Sequence, residues 1–259
     1  MAETYAAPGT GTISGTYGAT DLTGEAVRDT VHPLDDPVHS ALTGPQAALA
    51  ERRGRVLRYQ PDVSDWTALP ADAGPEDWHD LAELAGPGTE VAFVGLAATP
   101  PAGWELTFHV PGVQLVDTET DLDHDPEAVH LGPADVPEML ELVERTRPGP
   151  FLRRTVEAGT YLGIRREGHL VAMAGERIHP TGWTEISAVC TLDGYRGQGL
   201  GGRLVRAVAA GVRQRGETPF LHASAENTSA LRLYETLGFT LRRTIDFTGV
   251  RVPESGWAR

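Results

Sequence analysis

The sequence predicts a mixed α/β fold whose second half carries the chemistry, and three features of the 259-residue chain predict it. Residues 183–212 read as a strand, a glycine-rich turn and a helix. Between residues 128 and 250, apolar strands alternate with amphipathic helices in the order strand, two helices, three strands, helix, strand, helix, strand. Charge divides the chain at the same place. Residues 1–127 hold 5 Arg against 22 acids, a balance of −17, and residues 128–259 hold 17 Arg against 14 acids, a balance of +3. An acidic first half disfavours nucleic acid as a partner, while an Arg-rich second half suits an anionic ligand.

In chain order, residues 1–30 are rich in Thr, Gly and Ala and poor in bulky aliphatics, so they are expected to be a disordered tail. Residues 31–116 change texture and are expected to form a smaller α/β helper half. Within it, 45–52 suits a short helix, 55–59 a strand, and 90–96 and 105–110 two further strands, with Trp66, Leu69, Trp78, Leu81 and Leu84 spaced between. The alternating acids of 117–127 read as a solvated acidic linker; they lack the central Gly and closing Glu of a calcium loop. No pair of His residues has metal-site spacing, so no metal is expected. No apolar run is long enough to span a membrane, and the start lacks a signal-peptide pattern. The single cysteine, Cys190, rules out an internal disulfide framework, and a cytoplasmic location is expected.

The main domain, 128–250, opens with a strand at 128–131. A helix follows at 135–147, with Val136, Met139, Leu140 and Val143 on one face. Pro148, Gly149 and Pro150 break it before a second short helix, 151–158. Residues 161–165 and 170–178 form a hairpin around a Glu-Gly turn. After the turn at 193–202, Leu200, Leu204, Val205, Val208 and Val212 make one apolar helical face. A strand at 218–224, a helix from 227 and a last strand complete the domain; 251–259 is a C-terminal tail.

The turn between strand and helix is the chemical centre. Gly197, Gly199, Gly201 and Gly202 leave backbone N–H groups bare at a helix N-terminus, a ready site for a phosphate. Gly197, Gly199 and Gly202 also spell the G-x-G-x-x-G dinucleotide fingerprint. Against that reading, Glu217 precedes the next strand instead of ending it, and the 57 residues after Gly202 are too few for a doubly wound sheet.

The same residues read Arg196-x-x-Gly199-x-Gly201 after a strand, which resembles the acetyl-CoA pyrophosphate loop of the GNAT superfamily of N-acetyltransferases. Asn227 opening a helix, Leu233-Tyr234 within it, and Leu237-Gly238-Phe239 closing it resemble that superfamily's C-terminal half. The likeness covers roughly residues 128–250. It implies a mixed, mostly antiparallel sheet in which two central parallel strands, 185–192 and 219–224, splay apart around pantetheine. It also implies acetyl-CoA as co-substrate and direct transfer of acetyl to an amine. Backbone of Val189, Cys190 and Thr191 would meet pantetheine and the acetyl carbonyl. Gly197, Gln198, Gly199, Leu200, Gly201 and Gly202 would cradle the pyrophosphate. Arg196 would orient that loop, and Asn227 would cap the last helix beside pantetheine.

Tyr234 is the candidate general acid for the departing thiolate, although Leu231, Tyr234 and Leu237 also share a helical face that core packing would explain. Glu185 and Glu176 are the candidate bases. By strand alternation Glu185 shares a face with Ser187 and Val189, and Glu176 ends the preceding strand. A solvated strand-end role for either, or a water chain as base, stays open. Cys190 reads as a small buried hydrophobe, not a nucleophile with His222 as its base. Acceptor walls are expected from 148–160, 178–183 and the C-terminal tail, and they leave the amine, small molecule or peptide, unnamed. A non-catalytic acyl-CoA sensor is the alternative class. No membrane partner is expected, and a homodimer stays open.

Overall fold

A computed structural model describes residues 32–120 and 124–254. The expected tail, 1–30, and most of the C-terminal tail lie outside the described residues. Helix α1 (Pro37–Leu42) is capped by Asp36, whose side chain accepts from His39 N at 3.0 Å. A small antiparallel sheet follows: β1 (Ala50–Arg53), β2 (Val56–Tyr59) and β3 (Thr67–Ala68). Residues 45–52, expected as a helix, form only a single 3₁₀ turn, Ala47–Leu49, before β1 begins. Helix α2 (Pro75–Ala85) buries Trp78, Leu81 and Ala82 and leads to β4 (Glu90–Val94) and the long β5 (Glu105–Asp117).

The second half supplies β6 (Val129–Leu131), α3 (Val136–Thr146), β7 (Tyr161–Arg166), β8 (His169–Glu176) and β9 (Trp183–Thr191). Helix α4 (Leu200–Gln214), β10 (Thr218–Ser224), α5 (Thr228–Thr236) and β11 (Phe239–Arg251) complete it. Residues 151–158, expected as a second short helix, contain only a 3₁₀ turn at Thr155–Ala158. The apolar stripe of α4 packs as its spacing predicts: Leu200, Leu204, Val205, Val208 and Val212 are all buried, in one cluster with Ile186 and Leu221.

The eight strands β4–β11 share one sheet, in the order β4-β11-β5-β10-β9-β8-β7-β6. It is antiparallel except where β9 meets β10. This corrects the expected division at 117–127. Strand β5, from the supposed helper half, lies between β10 and β11 and pairs with both, and residues from 32 onward form one compact unit. The acidic stretch is not a free linker either. Asp117 pairs with Arg213, Asp125 receives both Nε and Nη2 of Arg203, and Glu127 pairs with Arg203 and Arg166. Unpaired acids would be solvated; these have guanidinium partners on the α4 side of the molecule.

Candidate active site

Strands β9 and β10 run parallel, but their ladder covers only Thr218–Phe220 against Trp183–Glu185. Beyond it β10 continues to Ser224 and β9 to Thr191 with no hydrogen bonds between them. Backbone groups along that gap need partners, since an unpaired buried amide or carbonyl is costly. A cleft of about 810 Å³ opens there, lined by 186–191 of β9 and 222–224 of β10.

On its other edge β9 carries a bulge. Three steps along β9, from Cys190 back to Ser187, oppose two along β8, from Met173 to Gly175, and Ala188 takes a left-handed φ of 53°. The extra residue reverses the inward–outward order. Ile186 and Val189 both face α4, Val189 standing 3.7 Å from where a Gly201 side chain would begin. Ala188 and Cys190 face α3, in the cluster of Met139, Leu142 and Met173. Glu185 lies on that face too, opposite Val189. The expectation that Glu185 and Val189 share a face is therefore wrong, because plain alternation ignores the bulge.

At the C-terminal end of β9 the chain enters the glycine turn. Gly197 and Gly199 have φ of 79° and 75°, a left-handed region that strains any side chain, and neither has an atom within 4 Å of a would-be Cβ. Arg203 N makes the first α-helical bond, to Gly199 O at 3.0 Å. The N–H groups of Leu200, Gly201 and Gly202 thus have no helical partner and line the cleft mouth. Arg196 ties the turn to the strand: Nη2 lies 3.1 Å from Asp193 Oδ1, and Nε donates to Thr191 O at 3.4 Å. Thr191 Oγ1 faces Gly201. Gln198 is exposed and its side chain lies outside the cleft. Asn227 lines the cleft and caps α5, its Oδ1 accepting from Ala230 N at 3.1 Å.

Tyr234 also lines the cleft, 8 % exposed, with its ring edge-on to Phe239. Its hydroxyl has no hydrogen-bond partner among the described residues. Burial pushes the phenol up to about 12, so it stays protonated across the working range. Cys190 is buried as well, and burial pushes its thiol up to about 11, the setting of an inert core cysteine.

Neither candidate base is available as one. Glu176 lies outside the cleft; Thr160 N donates to its Oε2 at 3.1 Å and Arg215 Nη2 to its Oε1 at 2.9 Å. Glu185 is 0 % exposed. Arg177 grips it through Nε and Nη2 at 2.8 and 2.7 Å, and His222 Nδ1 lies 2.8 Å from Oε1. Burial works to raise this carboxyl, but the charge and hydrogen bonds of Arg177, aided by His222, hold it down to about 2. A carboxylate that weakly basic, with its oxygens occupied, is a poor proton acceptor.

The structure adds a chain of polar groups behind the cleft, buried at Glu185 and Gln114 and reaching the surface at Asp35. Gln114 Oε1 accepts from Arg242 Nη1 at 2.8 Å, and its Nε2 donates to Leu34 O at 3.0 Å. The remaining amide hydrogen faces His222 Nε2 at 3.0 Å, which therefore accepts, leaving the ring proton on Nδ1 for Glu185. Arg242 closes the chain on Asp35 at 2.6 Å. His222 thus has both nitrogens engaged. Sequence reading missed Arg177, Gln114 and Trp66, whose ring lies 5.4 Å from the Arg177 guanidinium carbon. No motif carries them; only the fold unites them.

A family profile described as FR47-like protein matches residues 161–248. Mycothiol acetyltransferase of Thermobispora bispora is 36% identical over 126 residues, 44% of this chain and 40% of that protein. The chain thus spans about two fifths of the length of the curated relative it matches. A GCN5-related N-acetyltransferase from Kribbella flavida shares the fold, with a TM-score of 0.54 at 18% identity, covering 82% of this chain and 93% of that one. A crystal structure from Novosphingobium aromaticivorans, assigned as an acetyltransferase of the GNAT family, is 41% identical with a TM-score of 0.78. It covers 85% of this chain and 99% of that one. Identity at that level over nearly the whole of a relative, on a sheet splayed beside a glycine turn, places this chain in the GNAT family of acetyltransferases.

Proposed function

We propose that the protein transfers an acetyl group from acetyl-CoA directly to a primary amine. The observation that carries this reading is the β9–β10 ladder, which stops at Glu185 and Phe220 and opens a slot onto the bare N-terminus of α4. Bound acetyl-CoA would supply a thioester whose carbon the amine attacks while the carbon–sulfur bond breaks. The helix end and the N–H groups of Leu200, Gly201 and Gly202 suit a pyrophosphate. The open edge of β9 from Val189 to Thr191 offers backbone partners to an amide-bearing arm and to the acetyl oxygen. Tyr234, protonated and unpartnered, donates to the departing sulfur, which the same buried cleft makes more basic. With Glu176 and Glu185 engaged elsewhere, the amine sheds its proton to water, so the rate should rise with pH through the amine's own pKa.

Release of free thiol from acetyl-CoA, with the acetylated amine identified by mass spectrometry, tests this. Amine-dependent release with one acetylated product per thiol is the expected result. Tight acetyl-CoA binding with no release from a broad amine panel would instead make the protein a sensor.

A further inference from the structure

The slot passes through the sheet, and its two mouths differ. On the α4 side lies the glycine turn. On the opposite face the walls come from residues outside the matched family segment or at its edge: Trp66, Phe108, Val110 and Phe247, with the 146–150 turn facing them. Trp66 and Phe247 lie 5.8 Å apart, and Phe247 stands edge-on to His222 at 6.1 Å. The expected walls at 178–183 are not there; that turn stays outside the cleft. Three charged side chains line the cleft, Arg147, Arg177 and Arg196, and among the described residues no carboxylate does. Arg177 is 8 % exposed and has committed Nε and Nη2 to Glu185. Its Nη1 has no acceptor among the described residues.

Resting on the transfer reading above, we infer that the acceptor is an apolar α-amino acid, whose amine enters the slot from the Trp66 face. Its apolar side chain fills the wall of Trp66, Phe108 and Phe247, aromatic contact area whose polar atom, the buried Trp66 Nε1, has no partner among the described residues. Its carboxylate, or the carbonyl of an N-terminal residue, takes the unused Nη1 of Arg177. A second ammonium would meet guanidinium groups and no counter-charge, so polyamines, aminoglycosides and lysine-rich peptides are excluded by repulsion and desolvation.

Kinetics with phenylalanine, phenylalanine amide, phenethylamine and spermidine decide the point, with acetyl-CoA binding followed separately by calorimetry. Phenylalanine should exceed spermidine in kcat/KM by about 100-fold and phenethylamine by about tenfold, the scale of one charged hydrogen bond. Equal use of the amide would mark an N-terminal residue as the source, and its rejection a free amino acid. Phe108 is half-buried, so Phe108→Ala should fold, and should raise KM for phenylalanine about tenfold with kcat little changed. Arg177→Lys keeps a cation beside Glu185 but gives up the fork; it should abolish the preference for phenylalanine over phenethylamine. Spermidine turned over faster than phenylalanine would overturn the inference and leave acetyl transfer intact. So would thiol release from none of these amines while acetyl-CoA still binds. Loss of acetyl-CoA binding itself would instead count against the transfer reading.

Discussion

In the proposed transfer Tyr234 packs in the core and also donates the proton. Its ring sits in the main hydrophobic cluster, as the helical spacing of Leu231, Tyr234 and Leu237 requires, while its hydroxyl lies at the cleft with no partner among the described residues. Tyr234→Phe keeps the ring and removes only the proton, so kcat should fall by about 10²-fold with the melting temperature nearly unchanged. An unchanged rate would reduce Tyr234 to packing. Because its pKa lies near 12, the wild-type rate should not decline on the alkaline side up to about pH 10; a decline near neutrality would assign the acid to another group. The position of Tyr234 was legible from the sequence because a motif and a helical face both mark it. Glu185 was not, because a single inserted residue at Ala188 reverses the strand's faces and leaves no local trace in composition.

At the scale of elements, the chain from Arg177 through Glu185, His222, Gln114 and Arg242 to Asp35 joins the end of β8, then β9, β10, β5 and β11, to the segment before α1. It holds the closed end of the slot, where β9 and β10 part. A carboxylate held down to about 2 in the folded state, against about 4.3 unfolded, stabilises the fold above its unfolded pKa and loses that effect as pH falls toward 2. Glu185→Gln leaves the buried Arg177 charge without a partner and should cost about 3 kcal/mol at neutral pH. The gap between wild type and variant in chemical denaturation should shrink as pH is lowered from about 5 to 3. A gap independent of pH would mean the carboxylate's charge is not what matters. The elements of 128–250 were readable because each carries its own periodicity and turn. The place of β5 was not: its pairing with β10 and β11 joins residues more than a hundred positions apart, and strand patterning says nothing about which neighbour a strand takes.

Over the whole molecule, residues 32–117 complete the sheet through β4 and β5 and supply Trp66, Phe108 and Val110 to the cleft. Among the described residues the charged side chains that line the cleft are Arg147, Arg177 and Arg196, and no carboxylate does. A slot lined by guanidinium groups suits a small anionic co-substrate. In the proposed reaction the glycine turn and the slot hold acetyl-CoA. Calorimetric titration of acetyl-CoA into wild type and Gly199→Val checks this, since φ 75° at Gly199 leaves room for a phosphate but strains a β-branched side chain. A single site on the wild type, weakened at least tenfold, about 1.4 kcal/mol, in a folded variant is the result expected. Equal affinity in the two folded proteins would contradict it.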